Sequence, residues 1–251
     1  MTVICWTHTP EGFAIGADGR RLQADGTLVT ESAQKVFLFQ LCEDVALAYA
    51  WTGNVRLDFG AKYFDFLEAS KRVLEVMRSE RYGCCNSGTA VLAEQASTDP
   101  AKYLEEFACR LFQELHAFLG GDVLYRPNVG LPIPAQFAKV LLIGYYHGQR
   151  FDAELSLSHS NGILDDPYLD GPDACDGGLM VFTGSDDVFS KWPPPSSLDA
   201  LDKGVEAVRA YIRHCIDEPN SSGGLSKFGG HIHIAKVLPR AVDWVEEPNA
   251  G

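Results

Sequence analysis

Short apolar runs separated by polar turns occupy the first 53 residues of the chain. The runs are rich in Val, Ile, Phe and Trp, which is typical of strands. The residues between them include Pro, Gly, Glu and Asp, which favour turns. Strands joined by such short turns pair antiparallel. The pattern therefore predicts an antiparallel sheet built from residues 3–6, 13–17, 35–39 and 45–51.

The apolar period changes to about 3.6 residues in three later segments, which predicts helices. The first two cover residues 55–79 and 100–119. Asp99 followed by Pro100 indicates the N-terminus of the second helix, because Asp caps helices and Pro fits their first turn. The third helix is predicted over about 197–216.

Apolar runs typical of strands return between and after these helices, and two loops separate them. The loops are residues 120–136, rich in Gly and Pro, and residues 158–178, which are polar and acidic. The further strands are predicted at 140–146, 151–157, 179–183, 231–238 and 241–245.

Helices grouped between runs of strands favour packed layers over strand–helix alternation. We therefore predict a single α+β domain over residues 1–251. Its expected architecture is a four-layer αββα sandwich, in which two antiparallel sheets are flanked by helices.

Composition narrows the possible partners. The 251 residues are 46% apolar and 22% charged, which is ordinary for a globular protein, and the net charge is −13. An acidic surface repels phosphates, so we expect no nucleic acid partner and no docking on anionic membranes. The chain has no apolar run long enough for a membrane span and no signal-peptide pattern at its start, so we expect a cytoplasmic protein. The seven cysteines, an odd number in mostly apolar segments, indicate reduced and buried thiols.

The threonine after the initiator methionine is a candidate nucleophile. Removal of Met1, which a small following residue permits, would leave Thr2 with a hydroxyl and a free α-amine on one residue. An α-amine has a pKa near 8, so a substantial fraction is neutral at cell pH and can accept the hydroxyl proton. This is the threonine form of nucleophile-plus-base catalysis.

Four stretches of the N-terminal region resemble the start of proteasome β-subunits and of HslV-type bacterial proteases. This family of N-terminal-nucleophile (Ntn) hydrolases has an N-terminal Thr, a strand ending in Asp-x-Arg, a Lys that opens the next strand, and a small-Gly motif. The resemblance suggests a divergent bacterial proteasome-like homolog. The matching stretches are residues 2–4 (TVI), 12–20 (GFAIGADGR), 35–36 (KV) and 51–53 (WTG).

The resemblance extends more weakly downstream. Residues 182–185 (FTGS) resemble a Gly-Ser-Gly turn of the family, and residues 220–224 (NSSGG) resemble its D-x-x-S-G-G loop. The Asp of that loop falls on Pro219, beside Asp217 and Glu218. The resemblance thus covers nearly the whole chain.

The resemblance implies a role for each matching residue. Thr2 Oγ would attack a peptide carbonyl, and the positive charge of Lys35 would favour the alkoxide. Asp18 would hold Lys35 charged and oriented, and the Gly53 N–H would stabilise the oxyanion. Ser185 and Ser222 would bind the amine or a catalytic water. The residues implied to line the specificity pocket are Arg21 and Trp51.

The resemblance also implies partners. We expect a threonine peptidase acting on peptides or unfolded proteins inside a ring-shaped homo-oligomer, without a cofactor. An ATP-dependent unfoldase, if one exists, would be a separate protein, because the chain has no ATP-binding motif. Two alternatives stay open: an Ntn amidase or transpeptidase acting on a small molecule, and a catalytically inactive ring-forming scaffold subunit.

Two further patterns were tested as metal sites. His231 and His233 form an H-x-H pattern without an evident third ligand, and we interpret them as solvent-side strand residues. The aspartates within 165–176 lack EF-hand spacing, and we interpret them as a solvated acidic loop. We therefore predict no metal site.

Overall fold

A computed structural model describes residues 2–22, 27–41, 43–53, 55–59, 61–82, 97–120, 136–160, 163–173, 179–183, 198–217 and 228–248. Over these ranges the chain forms fifteen strands and three helices. The helices are α1 (Phe66–Tyr82), α2 (Pro100–Leu119) and α3 (Leu201–Asp217). The strands are β1 (Val3–Thr9), β2 (Gly12–Ala17), β3 (Arg21–Leu22), β4 (Leu28–Thr30), β5 (Val36–Leu41), β6 (Val45–Gly53), β7 (Arg56–Phe59), β8 (Lys62–Asp65), β9 (Gln136–Tyr146), β10 (Gln149–Ser160), β11 (Ile163–Leu164), β12 (Tyr168–Asp173), β13 (Leu179–Thr183), β14 (His233–Leu238) and β15 (Ala241–Glu246).

The chain divides into two compact units. The first consists of Met1–Thr52, Leu141–Asp152 and Asp173–Gly251. The second consists of Gly53–Val140 and Ala153–Pro172. The long strands β9 and β10 contribute residues to each unit.

A five-stranded antiparallel sheet forms the centre of the first unit, in the order β13-β1-β2-β14-β15. One of its faces packs on strands of a second sheet, which has the order β11-β10-β9-β6-β5. Buried apolar side chains fill this interface, and burying one Val, Leu, Ile or Phe side chain stabilises the fold by about 1.5–3 kcal/mol. They include Ile4, Trp6, Phe13, Ile15, Ala235 and Val237 from the first sheet and Val36, Ala46, Ala48, Leu141 and Ile143 from the second.

Helix α3 covers the other face of the five-stranded sheet. Its Val208 and Ile212 lie close to β2 at Gly16. A Cβ atom on Gly16 would stand 2.8 Å from Val208 Cγ1 and 3.0 Å from Ile212 Cδ1, so this contact requires a glycine. The sheet is therefore covered on both faces, which explains why β1 and β2 are buried at almost every position.

The second unit contains the β7–β8 hairpin and helices α1 and α2. Asp65 accepts hydrogen bonds from the backbone N–H groups of Leu67 (2.9 Å) and Glu68 (3.1 Å), which fixes the start of α1 at residue 66. Asp99 caps α2 in the same way through the Ala101 N–H, at 3.0 Å, as the sequence predicted. No helix in the described part of the chain is long and apolar enough to cross a bilayer.

The prediction of a four-layer αββα sandwich is wrong. The described residues are mostly strands, arranged in four sheets, two of which are isolated hairpins (β3–β4 and β7–β8). Within the first unit the layers are α3, the five-stranded sheet and the strands packed on it. The other two helices belong to the second unit. Apolar periodicity identifies elements, but it does not determine how they are grouped into layers.

Several predicted elements are confirmed and others are corrected. Helix α2 and strand β13 have the predicted bounds. Helix α1 was predicted to begin at residue 55, but 56–65 forms a hairpin that precedes it. The acidic segment 158–178, predicted as a loop, includes β11 and β12. Among the described cysteines, Cys5 and Cys215 are buried, as predicted, whereas Cys109 is exposed.

Candidate active site

The β1–β2 hairpin brings Thr2 and Asp18 to the same end of the five-stranded sheet. Ile4 pairs with Ala17, so Val3 and Asp18 lie opposite each other one step further along. The Val3 N–H donates to Asp18 Oδ1 over 3.0 Å, and the Asp18 N–H donates to the Val3 carbonyl over 3.3 Å. The Val3 N–H that donates to Asp18 is part of the peptide unit that joins Thr2 to Val3. Asp18 therefore holds the half-buried Thr2 through a single peptide bond.

The Asp18 carboxylate is completely buried and makes hydrogen bonds through both oxygens. Oδ1 accepts from the Val3 N–H and from the Lys35 ammonium at 2.7 Å. Oδ2 accepts from the N–H groups of Arg20 (3.3 Å) and Gly229 (3.2 Å). A buried carboxylate is costly unless it is paired and hydrogen-bonded. These four donors compensate for the hydration that Asp18 has lost.

Lys35 lies directly before β5, and only 9% of the residue is exposed. Burial lowers the pKa of Lys35 below its ordinary value, and the adjacent Asp18 charge acts in the opposite direction. A lysine in such a site gives up its proton more readily than a surface lysine. Asp18 Oδ1 therefore joins the buried Lys35 ammonium to the Thr2–Val3 peptide unit through two hydrogen bonds.

Arg20 fixes the segment that precedes β14. Its guanidinium binds Glu31 through Nε (3.0 and 3.1 Å) and Nη2 (2.7 Å), and Nη1 donates to the Phe228 carbonyl over 3.1 Å. Gly229 lies flat against this guanidinium, since a Cβ there would stand 2.3 Å from Arg20 Cζ. Arg20 thus keeps the Gly229 N–H directed at Asp18. The strand-end motif Asp-x-Arg contributes two residues to one network.

His233 contacts the other side of the Lys35 backbone. Its Nε2 accepts hydrogen bonds from the N–H groups of Lys35 (3.1 Å) and Val36 (3.3 Å), which requires that the ring proton be on Nδ1. Burial, the charge of Lys35 and His231 lower the pKa of His233 to about 4. The prediction that His233 faces solvent is wrong, because the residue is 1% exposed. It shares a face with Ala235, which lies in the core between the two sheets.

The predicted pocket residues Arg21 and Trp51 are not in this network. Arg21 is exposed on β3, opposite Thr30, and Trp51 is buried in β6. Their proposed contacts with substrate stay predictions.

Gly53 ends β6 and belongs to the second unit. It has a φ of +82°, and a Cβ there would stand 2.8 Å from the Phe137 carbonyl oxygen. The position therefore requires glycine for conformational reasons, independently of any role as an oxyanion donor. Ser185, Ser222 and the Pro219 region lie outside the described residues.

The described residues contain no group of three or more His, Cys, Asp and Glu side chains able to hold a metal ion. His233 is also unsuited to binding a metal through the H-x-H pattern, because its Nε2 already accepts hydrogen bonds from two backbone N–H groups. Asp165, from the acidic segment, accepts a hydrogen bond from Ser158 Oγ at 2.9 Å.

Sequence reasoning missed the roles of Glu31, Gly229 and His233. The signal for His233 was present in the H-x-H pattern, but alternation marks a solvent face only when one face of the sheet is open. The five-stranded sheet has both faces covered, so alternation distinguishes two buried faces.

Comparison with solved structures gives the fold. Anbu from Pseudomonas aeruginosa, solved as a helical assembly, aligns with a TM-score of 0.53 and 15% identity, over 100% of this chain and 88% of that one. A Gly-1 mutant of Anbu from Hyphomicrobium sp. strain MC1 aligns with a TM-score of 0.52 and 10% identity, over 100% and 89%. No family model matches the chain, and no curated protein matches it either.

These findings correct the sequence-based assignment to the proteasome β-subunits and HslV-type proteases. The similar structures are Anbu proteins, a proteasome-like family, and no sequence match supports a specific family for this chain. What these structures show of the chain is its fold, which it shares with Anbu.

Proposed function

We propose that the chain is an N-terminal threonine hydrolase that cleaves peptide bonds, with Thr2 as its nucleophile after removal of Met1. One observation carries the proposal. A single buried oxygen, Asp18 Oδ1, accepts hydrogen bonds from both the peptide unit next to Thr2 and the Lys35 ammonium. This arrangement supports a positive charge held at a fixed place beside the Thr2 backbone.

The proposed reaction uses groups of the chain alone. Thr2 Oγ attacks the substrate carbonyl while the freed α-amine of Thr2 takes its proton, and the leaving amine then receives that proton. Water hydrolyses the resulting ester and restores Thr2. The positive charge of Lys35 favours the alkoxide and keeps the α-amine neutral. In this proposal Gly53 donates to the oxyanion, and Ser185 and Ser222 hold the amine or the water.

The substrate we propose is a peptide or an unfolded protein, with Arg21 and Trp51 as specificity residues. The exposed guanidinium of Arg21 would favour acidic or polar side chains at the cleavage position. No cofactor enters the proposed reaction, and an ATP-dependent unfoldase, if one is used, is a separate protein.

Reaction with an epoxyketone probe tests the nucleophile, because this group reacts with both the hydroxyl and the α-amine of an N-terminal threonine. We expect one adduct, mapped to Thr2 by mass spectrometry, and none in Thr2→Ala. Thr2→Ser keeps both groups and should still be labelled, and Thr30→Ala on β4 is the control for a change at another threonine. A mature chain that retains Met1, or an adduct that persists in Thr2→Ala, would contradict the proposal.

We also propose that copies of the chain assemble with one another, since the similar Anbu protein of Pseudomonas aeruginosa forms a helical assembly. Repetition of one interface between identical chains produces either a closed ring or an open helix. Light scattering on the purified protein should give a mass several times 27.5 kDa. A mass equal to one chain would count against assembly. It would not bear on the proposal that Thr2 is the nucleophile.

A further inference from the structure

The start of β5 is held by a side chain from another strand. β5 begins at Val36, directly after Lys35. The N–H groups of both residues point to one atom, Nε2 of His233, at 3.3 and 3.1 Å. Two consecutive backbone donors therefore converge on an imidazole from β14, 197 residues away in sequence.

Only a neutral imidazole can make these contacts. Nε2 accepts through its lone pair, and a proton on that nitrogen would replace an acceptor with a donor. Two buried N–H groups would then lose their partner. The surroundings of His233 disfavour that proton, because the ring is 1% exposed and lies near the Lys35 charge.

Among the described residues, aromatic and strand neighbours also surround the ring. Trp244 of β15 packs edge-on against it at 6.1 Å between ring centroids, and Ala17 of β2 is its strand partner. The titratable or charged groups acting on it are Lys35 and His231. Asp18, which follows Ala17, is engaged with Lys35 and three backbone donors.

Lys35 is thus held at both ends. Asp18 binds its ammonium at 2.7 Å, and His233 binds its backbone N–H at 3.1 Å. Both anchors come from the five-stranded sheet, whereas Lys35 leads into β5 of the packed sheet. We expect the position of the ammonium to depend on both contacts, because the lysine side chain has four rotatable bonds between them.

We propose that His233 is a positioning residue for Lys35, which holds the lysine backbone as a neutral double acceptor and so places the ammonium on Asp18. This inference deepens the proposed function and rests on it for its effect on activity. The effect of His233 on the Lys35 backbone does not depend on any catalytic activity.

Two substitutions separate the role of His233 as a hydrogen-bond acceptor from the role of its ring in packing. His233→Gln places Oε1 near the position of Nε2 and keeps an acceptor that does not titrate. His233→Phe keeps a ring of similar shape but removes the acceptor. His116→Gln is the control for the loss of a histidine elsewhere, on helix α2 of the second unit.

The first measurement is hydrogen–deuterium exchange resolved to residues 35 and 36, corrected for the intrinsic rate at each pH. At neutral pH we expect slow exchange in the wild type and His233→Gln, and exchange about tenfold faster or more in His233→Phe. Below about pH 4 the wild type should lose protection there while His233→Gln keeps it. Equal protection in His233→Phe, or parallel acid behaviour of the wild type and His233→Gln, would overturn the proposal.

The second measurement is the rate of epoxyketone labelling at neutral pH. We expect the labelling rate of His233→Gln to lie within about threefold of the wild-type rate. The labelling rate of His233→Phe should be about tenfold lower or more. If the wild type is not labelled, the proposed function fails, while the exchange measurement still decides the positioning role. If His233→Phe does not fold, the acid comparison of the wild type with His233→Gln decides it alone.

Discussion

The variant Asp18→Ala is expected to lower the free energy of unfolding by about 3–5 kcal/mol. The substitution leaves the Lys35 ammonium, 9% exposed, without its carboxylate. It also removes the acceptor for the N–H groups of Val3, Arg20 and Gly229. The loss of the acceptor for these N–H groups adds to the cost of the uncompensated charge, so the loss should lie at the upper end of the range or above it.

Urea denaturation of two further variants shows whether the cost arises from the uncompensated charge. Asp18→Ala combined with Lys35→Met should recover part of the loss, because no buried charge then lacks a partner. Asp58→Ala removes an exposed partner of Arg56 and should cost about 1 kcal/mol or less. A loss below 1 kcal/mol in Asp18→Ala, or no recovery in the double variant, would refute the network as described.

Stability is expected to fall by about 3 kcal/mol between pH 6.5 and pH 4 because of His233 alone. An unfolded histidine titrates near 6.5, whereas burial and the Lys35 charge lower the pKa of His233 to about 4 in the folded chain. In this window the unfolded state binds a proton that the folded state does not, so stability rises with pH. Above pH 6.5 the imidazole is neutral in both states and contributes no further pH dependence.

Urea denaturation at a series of pH values isolates this effect when the curves for the wild type and His233→Gln are subtracted. Carboxylates titrate in both proteins and cancel in the difference. The difference should be flat above pH 6.5 and should change steadily toward pH 4. Parallel curves for the wild type and His233→Gln would show that His233 is protonated equally in both states.

The pairing of Asp18 with Lys35 could be predicted from the sequence. A hairpin ends at Asp18, and the next long strand begins after Lys35, so the two residues fall at strand ends in a recognisable order. Helix α2 was equally predictable, because Asp99 and Pro100 are local signals that act on adjacent backbone groups.

The hairpin before α1 could not be predicted from the spacing of the apolar residues. Leu57 and Phe64 match helical spacing, but they are paired with each other across β7 and β8. The bond that starts the helix is made by Asp65, whose side chain could equally cap a helix or form a turn. Periodicity over a short segment fits both structures, and packing within the second unit selects one.

By itself the sequence determined the local features of this protein: the presence of most long strands, its best-capped helix, and the order of Thr2, Asp18 and Lys35. These features depend on interactions between residues that are close in the sequence, so the sequence alone shows which residues interact. Only the tertiary structure decided the grouping of layers, the burial of His233 and the convergence of Gly229 on Asp18. Those contacts join residues about 200 positions apart, and such pairing depends on which faces of the sheets become covered.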